Sequence, residues 1–357
     1  MVKPEGVNPV RNLKFLNGIK RILIVRNDNI GDVILTTPAI EALRRYYPDA
    51  YIAILVAEHA REAIEGNPYL DKVYSYQKAK HSDDNKLISW WRQYKVIREI
   101  RRDKFDLVIG IRSIFSPSQG WLVFASGAPK RLGHYPKKKK YLSFYYNIYA
   151  DDTPDKTHEV IRSLNVIRKI NVDIERKELF FFVPEEEKEK VGEFIRRNGL
   201  KKGKKLICLH ISGRIQEGRW WYSGNYISLT DSLMERPDID LILNWPPKEA
   251  ALGEEILSKV KNRPIVFESG GIRSFAAFLQ ECDLLITIQG GAMHIASALK
   301  TPTIAIFDKA DPDVWHPWGE GHIVLKKGNN PNLVTVEDVI DAVDKKIGVK
   351  SCRRPDL

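Results

Sequence analysis

The sequence has few of the features that mark secreted, membrane-spanning or metal-rich proteins. It contains three cysteines in 357 residues, and their wide spacing and odd number favour reduced, structural thiols over a disulfide framework or a metal site. No run of about 18 apolar residues is present. The first residues, MVKPEGVNPVRNLKFLNG, lack the apolar centre of a signal peptide. We therefore expect a cytoplasmic protein whose cysteines do not form a metal site.

The Gly-x-Gly-x-x-Gly turn of nicotinamide-binding domains is also missing, which argues against a dehydrogenase. Short-period repeats and low-complexity segments are absent as well. The composition is 43% apolar, which supports a fully globular chain. Because 357 residues exceed what one hydrophobic core usually fills, we expect two domains.

The net charge of +11 is unevenly distributed. Residues 1–150 contain 26 lysines and arginines against 14 acidic residues, whereas the remainder contains 31 against 32. The densest basic stretch is PKKKKY at 136–141, and the aromatic run FYYNIY follows it closely. This stretch is either a solvated loop or a surface for an anionic partner such as nucleic acid, a phosphorylated glycolipid or a membrane face. Nucleic acid is the less favoured partner because no recognised binding module is present.

Short β-branched runs alternate with amphipathic segments from Lys20 onward, which is typical of a mostly parallel sheet with helices on both faces. The first series includes RILIV, AYIAILVAE, KVYSY and DLVIGI. A helix is predicted over 85–103, with Trp91 and its neighbours in the core. After Asp151 the pattern predicts a helix at THEVIRSLNVIRKI, a strand at LFFFV and a helix at PEEEKEKVGEFIRRNG.

The alternation then starts again with LICLHIS, so we place a domain boundary between about Val183 and Lys205. The predicted fold class is α/β, with two Rossmann-like doubly wound domains facing a central cleft. The predicted divisions are an N-terminal extension (1–19), an N-terminal domain (20–190) and a C-terminal domain (191–350). The last helix is a candidate for packing back on the N-terminal domain.

The first candidate site is the stretch RNDNIGDVILTTPAI, which follows the strand RILIV. Its Asp32 either caps the next helix or acts as a general base, because a carboxylate at a strand end can accept the proton of an attacking hydroxyl. Pro38 lies six residues into the predicted helix and should kink or delay it.

The second candidate site is ITIQGGAMHIASAL, which follows the strand DLLITI. The backbone N–H groups of Gly290, Gly291, Ala292 and Met293 can face an anion at the start of a helix. The alternative is a tight turn that needs residues without a Cβ atom. His294 is either a contact to a diphosphate or sugar, or a core histidine.

The third candidate site is HISGRIQEGRWWYSGNY, where Ser212 and Gly213 end a strand. Arg214 and Arg219 carry guanidinium groups suited to a diphosphate, although surface solvation is the commoner role of an arginine. Trp220 and Trp221 are expected to pack in the core. In NWPPKEA, Glu249 either accepts hydrogen bonds from a ribose or supports the first turn of a helix.

Taken together, these loops resemble glycosyltransferase family 9, the ADP-heptose:lipopolysaccharide heptosyltransferases. The resemblance runs from about Lys20 to Gly348 and includes THEVIRSLNVIRKI, GGAMHIASALKTPTIAIF and PDVWHPWG. It implies the GT-B architecture and a metal-independent sugar transfer with inversion. The C-terminal half would bind a nucleotide-sugar, with ADP-heptose the expected donor, and the N-terminal half would bind a lipopolysaccharide core or a related anionic glycan.

The resemblance also assigns roles to individual residues. Asp32 matches the proposed general base, Arg219 stands where relatives commonly have a phosphate-binding lysine, and Glu249 matches a ribose-binding carboxylate. The turn from Gly290 to His294 matches the diphosphate-binding helix start, and Ser212 and Gly213 adjoin the donor. The basic stretch Lys137, Lys138, Lys139 and Lys140 is the candidate contact for the acceptor, with peripheral contact to the inner membrane surface.

Two departures from the family pattern affect the donor site. Gln289 replaces the usual aspartate before the helix start, and FDKADPD replaces the usual Phe-Gly-Pro, which puts Asp308 near the phosphates unless Lys309 or another cation offsets it. Three alternatives therefore stay open: a degenerate member that only binds its ligand, a nucleotide-sugar epimerase of the same architecture, and a transferase that uses another nucleotide-sugar.

Overall fold

The computed structural model describes residues 18–77, 86–214 and 219–348. Apart from the short segment Glu62–Ile64, the chain divides into two compact units between Lys177 and Glu178. The predicted N-terminal extension lies outside the described residues except for its last two positions, and Cys352 lies outside them too. The two units are described separately below.

The first unit is built on a six-stranded parallel sheet whose strand order is β3-β2-β1-β4-β5-β6. The central strands are apolar and buried on both faces, as expected where helices cover a parallel sheet. The strands are β1 (Arg21–Arg26), β2 (Tyr51–Ala57), β3 (Lys72–Tyr76), β4 (Leu107–Gly110), β5 (Lys130–His134) and β6 (Ile148–Ala150). The helices are α1 (Ile30–Ile34), α2 (Thr37–Tyr46), α3 (Lys86–Arg102), α4 (Pro117–Ala125) and α5 (Glu159–Arg168), with 3₁₀ helices at Glu58–Ala63 and Lys140–Tyr145.

The second unit contains a six-stranded parallel sheet of order β11-β10-β7-β12-β13-β14 and a separate two-stranded antiparallel ladder, β8-β9. The strands are β7 (Lys205–His210), β8 (Gly213–Arg214), β9 (Arg219–Trp220), β10 (Ile239–Asn244), β11 (Ile265–Val266), β12 (Leu284–Ile288), β13 (Thr303–Ile306) and β14 (Ile323–Leu325). The helices are α6 (Glu185–Arg197), α7 (Ser223–Met234), α8 (Ala250–Lys259), α9 (Ile272–Glu281), α10 (Gly291–Ala298), α11 (Pro312–Trp315) and α12 (Val336–Ile347), with 3₁₀ helices at Pro247–Glu249 and Pro331–Leu333.

Both six-stranded sheets have the Rossmann order 3-2-1-4-5-6 when their strands are numbered within each sheet. The strand order reverses between β1 and β4 in the first unit and between β7 and β12 in the second. Ligands of such sheets bind outside the carboxyl ends of the strands at this switch point. The predicted α/β class with two Rossmann-like sheets is confirmed, and the positions of the candidate residues can be judged against the two switch points.

Helix α6 belongs to the second unit, although the sequence pattern placed the boundary later, between Val183 and Lys205. The reason is aromatic packing. The ring of Phe194 on α6 lies 5.0 Å from that of Phe267 and 6.0 Å from that of Phe278, both in the second unit. The division therefore precedes the helix rather than following it.

The strand predicted at LFFFV is wrong. Leu179, Phe181 and Val183 are buried and Phe182 is exposed, which is the alternation of a strand. No neighbouring strand pairs with this segment among the described residues, so it is extended chain outside both sheets.

The core position predicted for Trp91 is also wrong, although α3 forms where expected. Trp91 is 51% exposed and Tyr94 43% exposed, and their rings stack on each other at 5.6 Å. The buried stripe of α3 is formed by Ile97 and Ile100, nearer its C-terminal end. Helical periodicity identified the face of the helix but not how much of its length packs on the sheet.

The apolar face of α12 is accounted for by the second unit itself. Val339 and Val343 are fully buried in a core that includes Trp221, and the indole N–H of Trp221 donates to the Val334 carbonyl at 2.8 Å. The expected core role of Trp221 is confirmed, and α12 does not need the first unit to bury its apolar side chains. Cys208 and Cys282 are free and buried, as expected.

Replacing Gly133 with alanine should destabilise the first unit. A Cβ atom on Gly133 in β5 would overlap the ring of Tyr146, which is 2% exposed and cannot swing into solvent. Overpacking of this kind costs about 1–3 kcal/mol, measurable as a lower urea midpoint. Gly224→Ala is the matched control, because no atom lies within 4 Å of its added Cβ. Equal midpoints for the two variants would contradict this packing.

Candidate active site

The first candidate site lies at the carboxyl end of β1, next to the switch point of the first sheet. β1 ends at Arg26 and α1 begins at Ile30. α1 stops after five residues, and α2 begins at Thr37 with Pro38 in its first turn. The predicted interruption of the helix by Pro38 is thus confirmed. It leaves Asp32 on a single helical turn at the carboxyl end of the central strand β1.

The carboxylate of Asp32 is held on both of its oxygens. Oδ2 accepts hydrogen bonds from the backbone N–H of Asn29 at 3.1 Å and from its side-chain amide at 3.2 Å. Oδ1 accepts a hydrogen bond from Nη2 of Arg26 at 3.0 Å. The helix-capping alternative is therefore confirmed, since Asn29 and Asp32 form a capping box. The Asp32 side chain is 13% exposed, so solvent reaches it at the carboxyl end of β1. Its role as a base stays a prediction.

Arg26 is the centre of a buried ion-pair cluster that the sequence analysis did not identify. Its side chain is 1% exposed and contacts three carboxylates: Asp28 at 3.3 Å, Asp32 at 3.0 Å and Glu159 at 2.9 Å. Arg112, which follows β4, pairs with Asp28 at 2.8 Å. Two guanidinium groups therefore face three carboxylates across the switch point between β1 and β4.

Burial and charge oppose each other in this cluster. Burial alone would lower the pKa of Arg26, but the carboxylates of Glu159, Asp32 and Asp28 raise it above its ordinary value. Burial raises the pKa of Glu159, which is 1% exposed, and the contact with Arg26 opposes this rise. Removing Arg26 would leave the buried Glu159 carboxylate without its counter-charge.

The second candidate site lies at the switch point of the second sheet, where α10 begins after β12. Gly290 is the N-cap residue, and its φ of 172° is extended backbone that any residue can adopt. A Cβ atom there would meet its nearest neighbour, the Ile288 carbonyl oxygen, at an ordinary 3.8 Å. The tight-turn alternative therefore has no steric basis at Gly290, and the helix start remains a candidate anion site.

Only the backbone of this helix start can serve a ligand at Met293, because its side chain is fully buried against Ala305 and Phe307. His294 is also buried, with 3% of its surface exposed, as the core-histidine alternative expected. Gln289 is partly exposed, and its backbone N–H donates to the Ile306 carbonyl at 2.9 Å. The predicted roles of these residues toward a donor stay predictions.

Ser212 lies on the other side of the same switch point, after β7. Its hydroxyl is 3.4 Å from that of Thr287 in β12, which places the predicted Ser212 beside the strand that leads into α10. The neighbouring β8-β9 ladder pairs the backbone of Arg214 with that of Arg219. The structure describes only the backbone of these two arginines, so the phosphate contact predicted for Arg219 and the donor contact predicted for Gly213 stay predictions.

A histidine that the sequence analysis passed over fixes the adjacent strand ends. Nδ1 of His210, at the end of β7, lies 2.7 Å from the amide oxygen of Asn244, at the end of β10. Burial lowers the pKa of His210 to about 4, so the ring is neutral at pH 7 and Nδ1–H donates to Asn244. The amide of Asn244 donates in turn to the Phe267 carbonyl at 2.7 Å.

Glu249 ends the 3₁₀ helix after β10 and is partly buried. It stands at the N-cap of α8 but makes no capping hydrogen bond with its side chain, which removes support from the helix-capping alternative. Burial raises the pKa of its carboxyl group, with Lys248 opposing the rise. Ribose binding by Glu249 stays a prediction.

Of the two possibilities for a cation near Asp308, Lys309 or another residue, the structure places Lys326 there. Lys309 is exposed, whereas Nζ of Lys326 donates to the backbone carbonyls of Asp308 and Ala310, both at 2.7 Å. The buried Asp308 carboxylate also accepts a hydrogen bond from the Ala310 N–H at 2.8 Å. A positive charge therefore does lie beside this departure from the family pattern.

The predicted acceptor lysines, Lys137–Lys140, follow β5 in the first unit; Lys140 begins the 3₁₀ helix, and all four are exposed. Lys137 forms an ion pair with Asp152 at 2.5 Å. Their contact with an acceptor stays a prediction. No helix within the described ranges is long and apolar enough to span a membrane, and those ranges hold no group of three or more His, Cys, Asp or Glu side chains arranged to bind a metal ion.

The chain is similar to proteins of known family over most of its length. Lipopolysaccharide heptosyltransferase 3 of Escherichia coli is 23% identical over 339 residues, covering 88% of this chain and 96% of the relative. A glycosyl transferase family 9 structure from Veillonella parvula superposes with a TM-score of 0.80 at 22% identity, covering 93% of this chain and 98% of that one.

The structure of E. coli heptosyltransferase WaaC with ADP gives a TM-score of 0.72 at 18% identity and covers 91% of this chain and 99% of that one. These structures share the fold of the two Rossmann-like units. The profile of glycosyltransferase family 9 (heptosyltransferase) matches residues 93–340, which is more than half of the chain. This chain therefore belongs to glycosyltransferase family 9.

Proposed function

We propose that this protein transfers a heptose from ADP-heptose to a lipopolysaccharide core or a related anionic glycolipid. The observation that carries the proposal is the placement of Asp32: a partly exposed carboxylate, held by Arg26 and Asn29, at the switch point of the first sheet. Membership of glycosyltransferase family 9 supports the reaction type. The nucleotide-bound relative supports ADP as the carrier.

In the proposed reaction, an acceptor hydroxyl attacks the anomeric carbon of the donor while Asp32 accepts the hydroxyl proton. The bond from the anomeric carbon to the diphosphate oxygen breaks, ADP leaves, and the configuration at that carbon inverts. The N–H groups at the start of α10 and the positive charge of Arg219 stabilise the departing diphosphate, so the reaction proceeds without a metal ion or other cofactor. Glu249 binds the ribose of the donor.

The proposed site of action follows from the acceptor. A lipopolysaccharide core under construction is an anionic glycolipid at the inner face of the cytoplasmic membrane, and the excess basic charge of the first 150 residues suits such a partner. We therefore propose a cytoplasmic enzyme that works at that surface.

A thermal-shift comparison of ADP, UDP, GDP and CMP tests the donor. A nucleotide at 100 times its dissociation constant stabilises the folded state by about 2.7 kcal/mol, which raises the melting temperature by several degrees in a chain of this size. We expect this rise with ADP and not with the other three nucleotides at the same concentration. A preference for UDP would contradict the proposed donor and favour a transferase that uses another nucleotide-sugar.

A further inference from the structure

Exposed apolar side chains are concentrated in one part of the first unit. Twelve large apolar side chains are exposed among the described residues, and six of them lie between Ile114 and Phe144. Four of the six are aromatic residues on two adjoining elements, α4 and the 3₁₀ helix at Lys140–Tyr145. They are Trp121, Phe124, Tyr141 and Phe144, with exposed fractions from 39% to 72%.

The spacing of these four residues puts them on shared faces. Trp121 and Phe124 are three residues apart on α4, and Tyr141 and Phe144 are three residues apart on a 3₁₀ helix, where such positions align. The ring of Phe144 packs edge to face on that of Phe124, with their centroids 5.1 Å apart. The Phe124–Phe144 contact therefore joins the two helices, and we call the four exposed rings on them the aromatic ridge.

Positive charge lies directly beside this ridge. Lys137–Lys140 immediately precede or begin the 3₁₀ helix that carries Tyr141 and Phe144, and all four lysines are exposed. Lys137 pairs with Asp152, whereas no carboxylate of the described residues forms an ion pair with Lys138, Lys139 or Lys140. We call Trp121, Phe124, Tyr141, Phe144 and Lys137–Lys140 the aromatic-lysine surface.

Exposed aromatic rings next to lysines match the boundary of an anionic bilayer. Aromatic side chains are favoured at the headgroup level of a membrane, and each lysine close to anionic lipid adds about fivefold to binding. A single-stranded nucleic acid also uses cations and rings, but it stacks bases on open ring faces. Here the rings of Phe124 and Phe144 meet edge to face with an interplanar angle of 87°, so these two rings do not offer parallel faces on which successive bases could stack.

We propose that the aromatic-lysine surface docks this protein on an anionic lipid bilayer, with the rings at the headgroup level and the lysines against the lipid phosphates. The partner is the bilayer itself and not the sugar acceptor. Lys138–Lys140 then bind the protein to the membrane and do not determine which sugar is transferred. The proposal does not depend on which nucleotide-sugar the protein uses.

Vesicle sedimentation of the full chain tests this docking. The vesicles contain phosphatidylethanolamine and phosphatidylglycerol, or phosphatidylcholine alone, and neither set contains lipopolysaccharide or donor. We expect sedimentation with the anionic vesicles only, weakening as salt is raised. The triple variant Lys138→Gln, Lys139→Gln, Lys140→Gln should bind anionic vesicles at least about tenfold more weakly. The charge-matched control removes three exposed lysines of the second unit, Lys201, Lys202 and Lys204, and should bind like the unmodified protein.

A second pair of variants tests whether the exposed aromatic rings contribute to vesicle binding. Trp121→Ser should weaken binding to anionic vesicles severalfold, whereas Trp91→Ser, which removes a more exposed tryptophan from α3, should not. Equal binding by the triple lysine variant and its control would overturn the proposal, as would equal binding to neutral vesicles. Loss of RNA retention in the triple variant with unchanged vesicle binding would instead identify a nucleic-acid surface. Because no donor is present, none of these outcomes bears on the proposed sugar transfer.

Discussion

Replacing Asp32 with asparagine should reduce acceptor-dependent release of ADP from ADP-heptose by at least about 100-fold. Asparagine has nearly the same shape but cannot take the proton of the attacking hydroxyl. The ADP-induced rise in melting temperature should be unchanged, because the predicted donor contacts all lie in the other unit. Turnover and thermal shift measured on the same preparation separate the loss of chemistry from the loss of nucleotide binding.

Asp32 also caps α1, so a control is needed for the loss of a helix cap. Asp338 supplies it: it is the N3 residue of the capping box of α12, where its carboxylate accepts a hydrogen bond from the Thr335 N–H at 2.8 Å. Asp338→Asn weakens a cap of the same kind in the other unit. Both variants should lose about 1 kcal/mol of unfolding free energy, but only Asp32→Asn should lose turnover.

Three outcomes would contradict the proposal. Full turnover in Asp32→Asn would remove this residue from the chemistry and leave it a purely structural cap. Consumption of the donor without any acceptor, in the unmodified protein, would point to an epimerase. A protein that binds ADP but never consumes the donor would fit the degenerate alternative that Gln289 left open.

Much of the fold could be predicted because the central strands are apolar runs bounded by polar turns. β1, β2 and β3 lie close to the predicted segments. β5, with the sequence KRLGH, was missed because it is largely polar, and the edge strand β6, with IYA, was missed because it is only three residues long. The segment LFFFV shows the converse error, since alternation reports which side chains are buried and not whether the backbone has a strand partner.

The site was predicted unevenly for a different reason. Asp32 was found because it follows an apolar strand and matches a family motif. Arg26 was not singled out as buried, because a charged residue at the end of a strand is usually solvated. Its partner Glu159 is 133 residues away, and one sequence contains no signal for a pairing at that distance. The clue available in the sequence is that three charged residues, Arg26, Asp28 and Asp32, directly follow the apolar run RILIV.

The ion-pair cluster around Arg26 fixes the position of the Asp32 side chain. Nη2 of Arg26 donates both to Asp32 and to Glu159, so one guanidinium nitrogen ties the strand end to the start of α5. Glu159 is fully buried while Asp32 keeps some exposure. The buried carboxylate thereby helps to hold the guanidinium, and the guanidinium holds the carboxylate that faces solvent.

Arg26→Met should accordingly lower the free energy of unfolding by about 3–5 kcal/mol, the usual cost of leaving buried charges without their partner. Urea unfolding at pH 7 measures this loss. Arg236→Met is the matched control. Arg236 likewise contacts more than one carboxylate, Asp238 and Asp344, but its side chain is 18% exposed, so water can solvate the two carboxylates once the guanidinium is removed. The unfolding free energy of Arg236→Met should fall by less than about 2 kcal/mol. Equal losses would show that burial of the Arg26 cluster is not what matters.

The dependence of this loss on pH and on Glu159 tests its cause. Burial already raises the pKa of Glu159 and Arg26 opposes the rise, so removing Arg26 should raise that pKa further. A raised pKa in the folded state favours folding at low pH and loses that effect as the pH rises through it, so the deficit of Arg26→Met should be smaller at pH 5 than at pH 8. Adding Glu159→Gln to Arg26→Met removes the buried charge and should recover at least half of the lost stability at pH 8. A double variant no more stable than Arg26→Met alone, with a deficit that does not change with pH, would show that lost packing and not uncompensated charge explains the effect.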